Sequence, residues 1–468
     1  MLEFATRDAV EHRAVWIGAF LITAVTSMFT SVCCHAIFLG VFGPDSAFLE
    51  PHARDGLLKT APNLLFLSGA PAILVLTMVL NTLVTQTRRT HSQWRLAGAS
   101  PQQVVRIFSL QVIVVSACGA PVGAVVAIPF WGIASQLLGR GLVMASQPPP
   151  EIVVALNVLA SVLVVSVWGI LAGIKPAIWA SRTSPLIGQE PDAVPQENSR
   201  PLRRFFAFLF LVQMPLLVPF FVAPTLESDP RLQSALESRS GGMVGVASLV
   251  LLPASWALVI TVSLLAPYYL SFLIRGWTCI PGLLRWTPWR IARHMAVTRA
   301  GQSTATVIPL MIGVGLFASF NIVTTVTMNA QGAPVNMFDG ILMLTPIGVI
   351  GAVGSAAVVF MASRQRSQDL TALRIAGASP TSSVAVFVSE AVIYAVTALL
   401  IALVPTACTL LLLSTSAARW QASIDLSGVD LTGSVAVMLL GGLATVAIMV
   451  MSGLSAWRRP LATYLINE

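Results

Sequence analysis

Charge is scarce in this 468-residue chain: Asp, Glu, Lys and Arg together make up 10% of it, against roughly 25% in an average soluble protein. That shortage excludes an ordinary water-soluble enzyme. With 56% hydrophobic residues the chain is also not a disordered one, which would be polar and charge-rich. Lysine is nearly missing, represented only by Lys59 and Lys175. Neither stands in G-x-x-x-x-G-K-[ST], the loop in which a lysine contacts nucleotide phosphates and a hydroxyl holds magnesium. The five histidines (His12, His35, His52, His91, His294) form no H-E-x-x-H, and there is no G-x-S-x-G elbow. The chain is therefore expected not to be an enzyme and to carry no cofactor of its own. Its five cysteines (Cys33, Cys34, Cys118, Cys279, Cys408) contain no C-x-x-C pair and read as small packing residues.

What is abundant is apolar sequence in long blocks, with a mean hydropathy of +0.83. About 20 apolar residues in a row span a bilayer as a helix, whereas a β-barrel would alternate apolar and polar residues. The expected fold class is an all-α polytopic membrane protein with about ten transmembrane helices. The expected spans are 14–42, 63–86, 104–131, 152–180, 205–225, 243–274, 303–328, 340–362, 382–415 and 431–456. The block after Arg13 is too long for a signal-peptide core and reads as a retained first helix. An even number of spans puts both termini on one side. The loops on that side, with the termini, hold 21 of the 27 basic residues, including Arg88, Arg89, Arg95, Arg290, Arg293, Arg364 and Arg374; the other side holds six. Positive loops face the cytoplasm, so both termini are expected there, in the cytoplasmic membrane of a bacterium. The net charge of +8 then reports topology and contact with anionic membrane lipids, and no nucleic acid partner. The opposite loops, at most about 20 residues, are too short to bury a core of their own.

The most informative feature is a duplication. Residues 95–101 read Arg-Leu-Ala-Gly-Ala-Ser-Pro and residues 374–380 read Arg-Ile-Ala-Gly-Ala-Ser-Pro, identical at six of seven positions. At the same offset of 279, Val105 matches Val384, Phe108 matches Phe387 and Gln111 matches Glu390. The order in each copy is span, basic loop, motif, span. The chain thus divides into a first four-helix unit (1–182), a cytoplasmic linker (183–204), two connecting helices (205–277) and a second four-helix unit (278–468). Two extra spans between the copies make them parallel rather than inverted, which disfavours the inverted-repeat plan common in secondary transporters.

The motif has a readable local structure. Ser100 and Ser379 are good N-caps, Pro101 and Pro380 suit the first helical turn, and Gln103 can complete a capping box, with the weaker Ser382 at that place in the second copy. Gly98 and Gly377 permit a sharp reversal or a close backbone approach. Residues 88–97 are expected to form a short basic helix ending at Gly98. A tidy helix-turn-helix repeated by gene duplication is the plain alternative. Glu390 is an acidic residue placed within a span, where a carboxylate is costly and by default suggests function; satisfaction by water or an interfacial Arg is the structural alternative. Gln111 at the matching position points to polar packing. Gly119-x-x-x-Gly123 and the Gly348, Gly351, Gly354 series can allow close helix approach.

R-x-x-G-A-[ST] after a basic loop and before a long apolar helix resembles the FtsX-like permeases of ABC transporters, the mechanotransmission or MacB-type class. The likeness covers both four-span units, and the four-plus-two-plus-four plan resembles the BceB-type single-chain permeases. Residues 289–302 resemble the amphipathic segment that leads into a repeat unit, with 3–13 as the counterpart in the first half. Pro185-Leu186 and Pro460-Leu461 resemble the signature that closes each unit. The family carries an acidic residue five positions before the motif Arg. Asp369 stands there in the second copy and Thr90 in the first, so the two sites are expected to be unequal. The large extracellular domain of several relatives is absent. The resemblance implies that residues 88–101 and 364–380 dock on a homodimeric ABC ATPase subunit that binds ATP and magnesium. Arg95, Gly98, Ser100, Pro101, Asp369, Arg374, Gly377, Ser379 and Pro380 would couple the two proteins. It further implies export or extraction of an amphipathic or lipid-linked substrate or an antimicrobial compound. Two alternatives stay open: an ATPase-driven signal transducer controlling a cell-envelope enzyme or sensor, and an ion-driven secondary transporter resting on Glu390.

Overall fold

The computed structural model describes residues 6–8, 11, 13–42, 51–138, 151–182, 243–279, 285–298, 300–330, 337–362, 373–375, 377–419 and 432–457. Among them there is no strand. Hydrocarbon cannot hydrogen-bond a peptide group, so a spanning segment must satisfy its own backbone, which a helix does. The helices are α1 (Arg13–Phe42), α2 (Pro51–Gln86), α3 (Arg88–Leu96), α4 (Pro101–Ala127), α5 (Trp131–Leu138) and α6 (Glu151–Ser181), followed by α7 (Met243–Trp277), α8 (Thr287–Thr298), α9 (Ala300–Ala330), α10 (Met337–Met361), α11 (Pro380–Arg419) and α12 (Thr432–Trp457). Pro62 and Pro71 in α2, Pro121 in α4 and Pro309 in α9 sit inside helices, as membrane helices tolerate.

Eight stretches among the described residues are long and apolar enough to cross a bilayer: Val15–Phe42, Thr60–Gln86, Pro101–Gln136, Val153–Ser181, Ala254–Trp277, Ser303–Val326, Pro380–Ser414 and Thr432–Met451. The chain is a multi-pass helical membrane protein. The expected span 205–225 and the linker 183–204 lie outside the described residues. The expected span 340–362 falls on α10, whose apolar stretch Thr345–Met361 is shorter than the other eight. The surface bears out a lipid surrounding. One side of α6 presents Leu159, Leu163, Val167, Leu171 and Ile174, each at least half exposed, a stripe of apolar area that a soluble monomer does not sustain.

The chain divides into two compact units, Met1–Val194 with Val349–Val384 and Ala444–Glu468, and Pro195–Gly348 with Ala385–Leu443. Their bounds cut across the second sequence repeat, since they fall within α10, α11 and α12. In the first unit α1 packs against α2, α4 and α6. Glycine sets the α1–α4 distance: a Cβ on Gly119 would meet the Thr23 hydroxyl and the Phe20 carbonyl, and one on Gly123 would strike the Ala24 carbonyl. The close approach lets the Ser27 hydroxyl donate to the Ala120 carbonyl at 2.6 Å. In the second unit Gly348 lies against Val437. There α8 is amphipathic, burying Trp289, Ala292 and Ala296 and exposing Arg290 and His294. It is tied to the end of α7 by Arg293, whose Nε donates to Thr278 Oγ1 at 3.0 Å.

A Gly123→Ala variant is therefore expected to lose about 1–3 kcal/mol, the cost of overpacking against a backbone that cannot yield. Gly132→Ala, where a Cβ meets nothing within 4 Å, is expected to be neutral. Thermal unfolding of the two variants in the same detergent checks the contrast.

Candidate functional site

The two motif copies fold into the same turn. In the first, α3 ends with the Gly98 N–H donating to the Arg95 carbonyl at 3.1 Å and the Ala99 N–H to the Trp94 carbonyl at 2.9 Å. In the second, the Gly377 N–H donates to the Arg374 carbonyl at 3.0 Å and the Ala378 N–H to the Leu373 carbonyl at 2.9 Å. This pair of bonds is the Schellman closure, which satisfies the last carbonyls of a helix and needs a residue with positive φ. Gly98 has φ +93° and Gly377 φ +82°. A Cβ on either would meet nothing within 4 Å, so glycine serves the sharp reversal here and not a close approach. The Arg95 side chain adds a clasp, its Nη1 donating to the Ala99 carbonyl at 3.1 Å.

The next helix starts two residues later. Ser100 Oγ accepts from the Gln103 N–H at 3.3 Å and Gln103 Oε1 accepts from the Ser100 N–H at 2.7 Å, a complete capping box with Pro101 in the first turn. Ser379 Oγ accepts from the Ser382 N–H at 3.2 Å. The Ser382 hydroxyl donates to the Ser379 carbonyl at 2.9 Å, because a serine is too short to reach back as a glutamine does. The second cap is thus one-sided. Asp369 lies outside the described residues, as does most of the loop 364–380 that precedes the turn.

Each turn exposes an aliphatic side chain at the one variable position of the motif. Leu96 is 64% exposed and Ile375 is 71% exposed. Sequence reasoning passed over these two because it weighed the identical positions; the available signal was that the variable position is aliphatic in both copies. Behind the first turn, α3 is anchored through His91, which is 2% exposed. Its ring meets those of Trp94 at 5.1 Å and Phe108 at 6.1 Å edge-on, and Phe108 packs on Trp16 at 5.9 Å. Ring-to-ring contacts thus link the first turn to α4 and α1.

The matched polar positions are both buried, Gln111 at 1% and Glu390 at 3% exposure. Gln111 Nε2 donates to Asp8 Oδ2 at 2.7 Å. Glu390 Oε1 accepts from the Tyr394 hydroxyl at 2.6 Å. Ser303 in turn donates to the Tyr394 oxygen at 3.2 Å and to the Ala296 carbonyl at 2.7 Å. Gln111 thus ties α4 to Asp8 near the N-terminus, and Glu390, through Tyr394 and Ser303, ties α11 to the end of α8. One neighbour that satisfies Glu390 is a tyrosine one helical turn away. No cluster of His, Cys, Asp or Glu among the described residues could hold a metal ion. No protein-family model, curated protein or solved structure matches this chain.

Gly98→Val is expected to weaken the turn by about 1–2 kcal/mol, the cost of a left-handed conformation for an L-residue, and Gly98→Asn by less, since Asn adopts positive φ more readily. Amide hydrogen exchange at Ala99, faster in Gly98→Val than in Gly98→Asn, checks the order.

Proposed function

We propose that this chain is the membrane-spanning subunit of an FtsX-like ABC transporter, with two parallel repeats whose turns are docked by a separate homodimeric ATPase carrying ATP and magnesium. The observation that carries the reading is the paired turn: the same seven-residue motif, the same two closing hydrogen bonds and the same positive-φ glycine occur twice. Each copy joins a capped, membrane-length helix and exposes an aliphatic residue at its tip. A rigid, apolar-tipped element repeated in parallel suits two equivalent subunits of a partner. The basic bias of the surrounding loops supports a cytoplasmic position for the turns, where nucleotide is available.

In this reading closure of the ATPase dimer pushes both turns. The edge-on rings of His91 and Phe108, and the polar ties at Gln111 and Glu390, carry the movement into the spans. The Arg95 side chain clasps the first turn and the Arg374 carbonyl closes the second, Gly98 and Gly377 permit them, and Ser100–Pro101 and Ser379–Pro380 fix the helices that receive the push. The transported compound is amphipathic or lipid-linked, or an antimicrobial, moved outward or extracted from the outer leaflet. The buried Glu390 favours one second reading, an ion-driven carrier, in which the carboxylate binds the coupling ion.

Copurification of an ATPase with the full chain is the first test. In the reconstituted pair, Leu96→Asp with Ile375→Asp is expected to abolish stimulation of ATP hydrolysis while the thermal midpoint stays near wild type, since both side chains are exposed. Transport that survives in Glu390→Gln and stops without the ATPase supports the proposal. Transport that needs Glu390 and ignores the ATPase overturns it in favour of the carrier.

A further inference from the structure

One buried face of α1 in the first unit is polar. Thr23, Ser27, Thr30, Ser31, Cys34 and His35 recur at helical spacing on one side, and none is more than 6% exposed. In the second repeat, α9 buries large apolar residues through its middle, among them Leu310, Met311, Leu316 and Phe317. Near the foot of the α1 stripe the hydroxyls are committed, Thr23 to the Phe20 carbonyl at 2.8 Å and Ser27 to the Ala120 carbonyl at 2.6 Å.

At the end of the unit remote from the turn, the stripe meets Trp131 and Asn157. Trp131 Nε1 donates to Ser31 Oγ at 3.1 Å. Asn157 Nδ2 donates to the Ser31 carbonyl at 3.2 Å. The His35 ring lies nearly flat on Trp131, with centroids 4.6 Å apart and planes 11° from parallel. Two atoms of this cluster remain unused: His35 Nδ1 and Asn157 Oδ1 are buried and have no hydrogen-bond partner among the described residues. The side chains themselves are 3% and 0% exposed. Reversing the Asn157 amide would set its oxygen against the Ser31 carbonyl, so the unused Oδ1 is not an assignment of the wrong amide face.

The chemistry of the two unused atoms limits what can join them. Asn157 Oδ1 only accepts, so the guest must donate. Neutral His35 can offer or accept at Nδ1 according to tautomer. A carbonyl guest lacks the donor, and an ammonium would enter a cluster that contains no carboxylate. An O–H group meets both requirements, and the burial of both side chains favours a small one. We infer that His35, Asn157, Ser31 and Trp131 form a binding site for a small neutral hydroxyl group, either a water molecule or the glycerol hydroxyl of a phospholipid headgroup. It donates to Asn157 Oδ1 and pairs with His35 Nδ1. The site holds a polar guest inside a membrane bundle, and it stands independently of any ATPase.

Hydroxyl-radical footprinting by X-ray radiolysis tests it on the full chain in dodecylmaltoside, in phosphatidylcholine nanodiscs and in phosphatidylglycerol nanodiscs. A bound water generates radicals in place and oxidises its neighbours even where bulk solvent is excluded. Trp131 is expected to oxidise severalfold faster than Trp16, which is as deeply buried, 4% against 2% exposed, but packs on Phe108. Fast oxidation in all three media identifies water. Fast oxidation lost only in phosphatidylglycerol identifies the headgroup hydroxyl. Trp131 no faster than Trp16 in detergent, or slowed equally by both lipids, overturns the site. Asn157→Leu and His35→Phe each remove one of the two atoms and are expected to bring Trp131 down to the Trp16 rate. A wild-type rate in both also overturns it. Should either variant fail to fold, the wild-type comparison decides alone.

Discussion

Every backbone N–H and C=O in the membrane must be paired within the protein, and the rest of this structure depends on how that is met where helices end. Along the spans the answer is the helix itself. At a helix end several carbonyls and N–H groups lose their partners. The Arg-x-Ala-Gly-Ala-Ser-Pro segment answers both deficits within seven residues. The glycine closes the carbonyl end of one helix, and the serine caps the amide end of the next. Almost no slack is left between the two helices. That stiffness is a local consequence of hydrogen-bond bookkeeping, and it makes the turn suited to transmit force.

The sequences around the two motif copies differ where that constraint is absent. The turn is nearly identical in both copies, because few residues tolerate positive φ and few side chains cap. At the matched buried position one copy has an amide and the other a carboxylate, Gln111 and Glu390, each with a different neighbour. Cap strength differs too, since Gln103 reaches the backbone N–H of its cap and Ser382 does not. The two turns thus share one design while the buried polar groups behind them differ.

Buried polar groups show the same split between what is forced and what is free. In α1 the polar stripe is matched by glycine and alanine on α4, so that hydroxyls reach carbonyls across the narrowed gap. Small residues at a membrane helix interface let backbones approach. Gly119 and Gly123 serve that purpose, whereas Gly98 and Gly377 have open space around them and serve the backbone alone. The same residue type thus has two unrelated physical roles in one chain.

The amino-acid sequence by itself determined the membrane-helical class, most of the spans, the twofold occurrence of the Arg-x-Ala-Gly-Ala-Ser-Pro motif and the local form of the turn from Arg88 to Gln103. These depend on hydrophobic run length, positive φ and capping, all properties of neighbours in the chain. It did not contain the partner of Gln111, which is Asp8 at a separation of 103 residues, or the meeting of Ser31 with Asn157 at a separation of 126. Nor did it mark Leu96 and Ile375 as exposed tips, since an aliphatic residue beside a membrane span reads equally well as buried. Those features belong to the tertiary structure, because which face of a helix is covered depends on what the other helices bring to it.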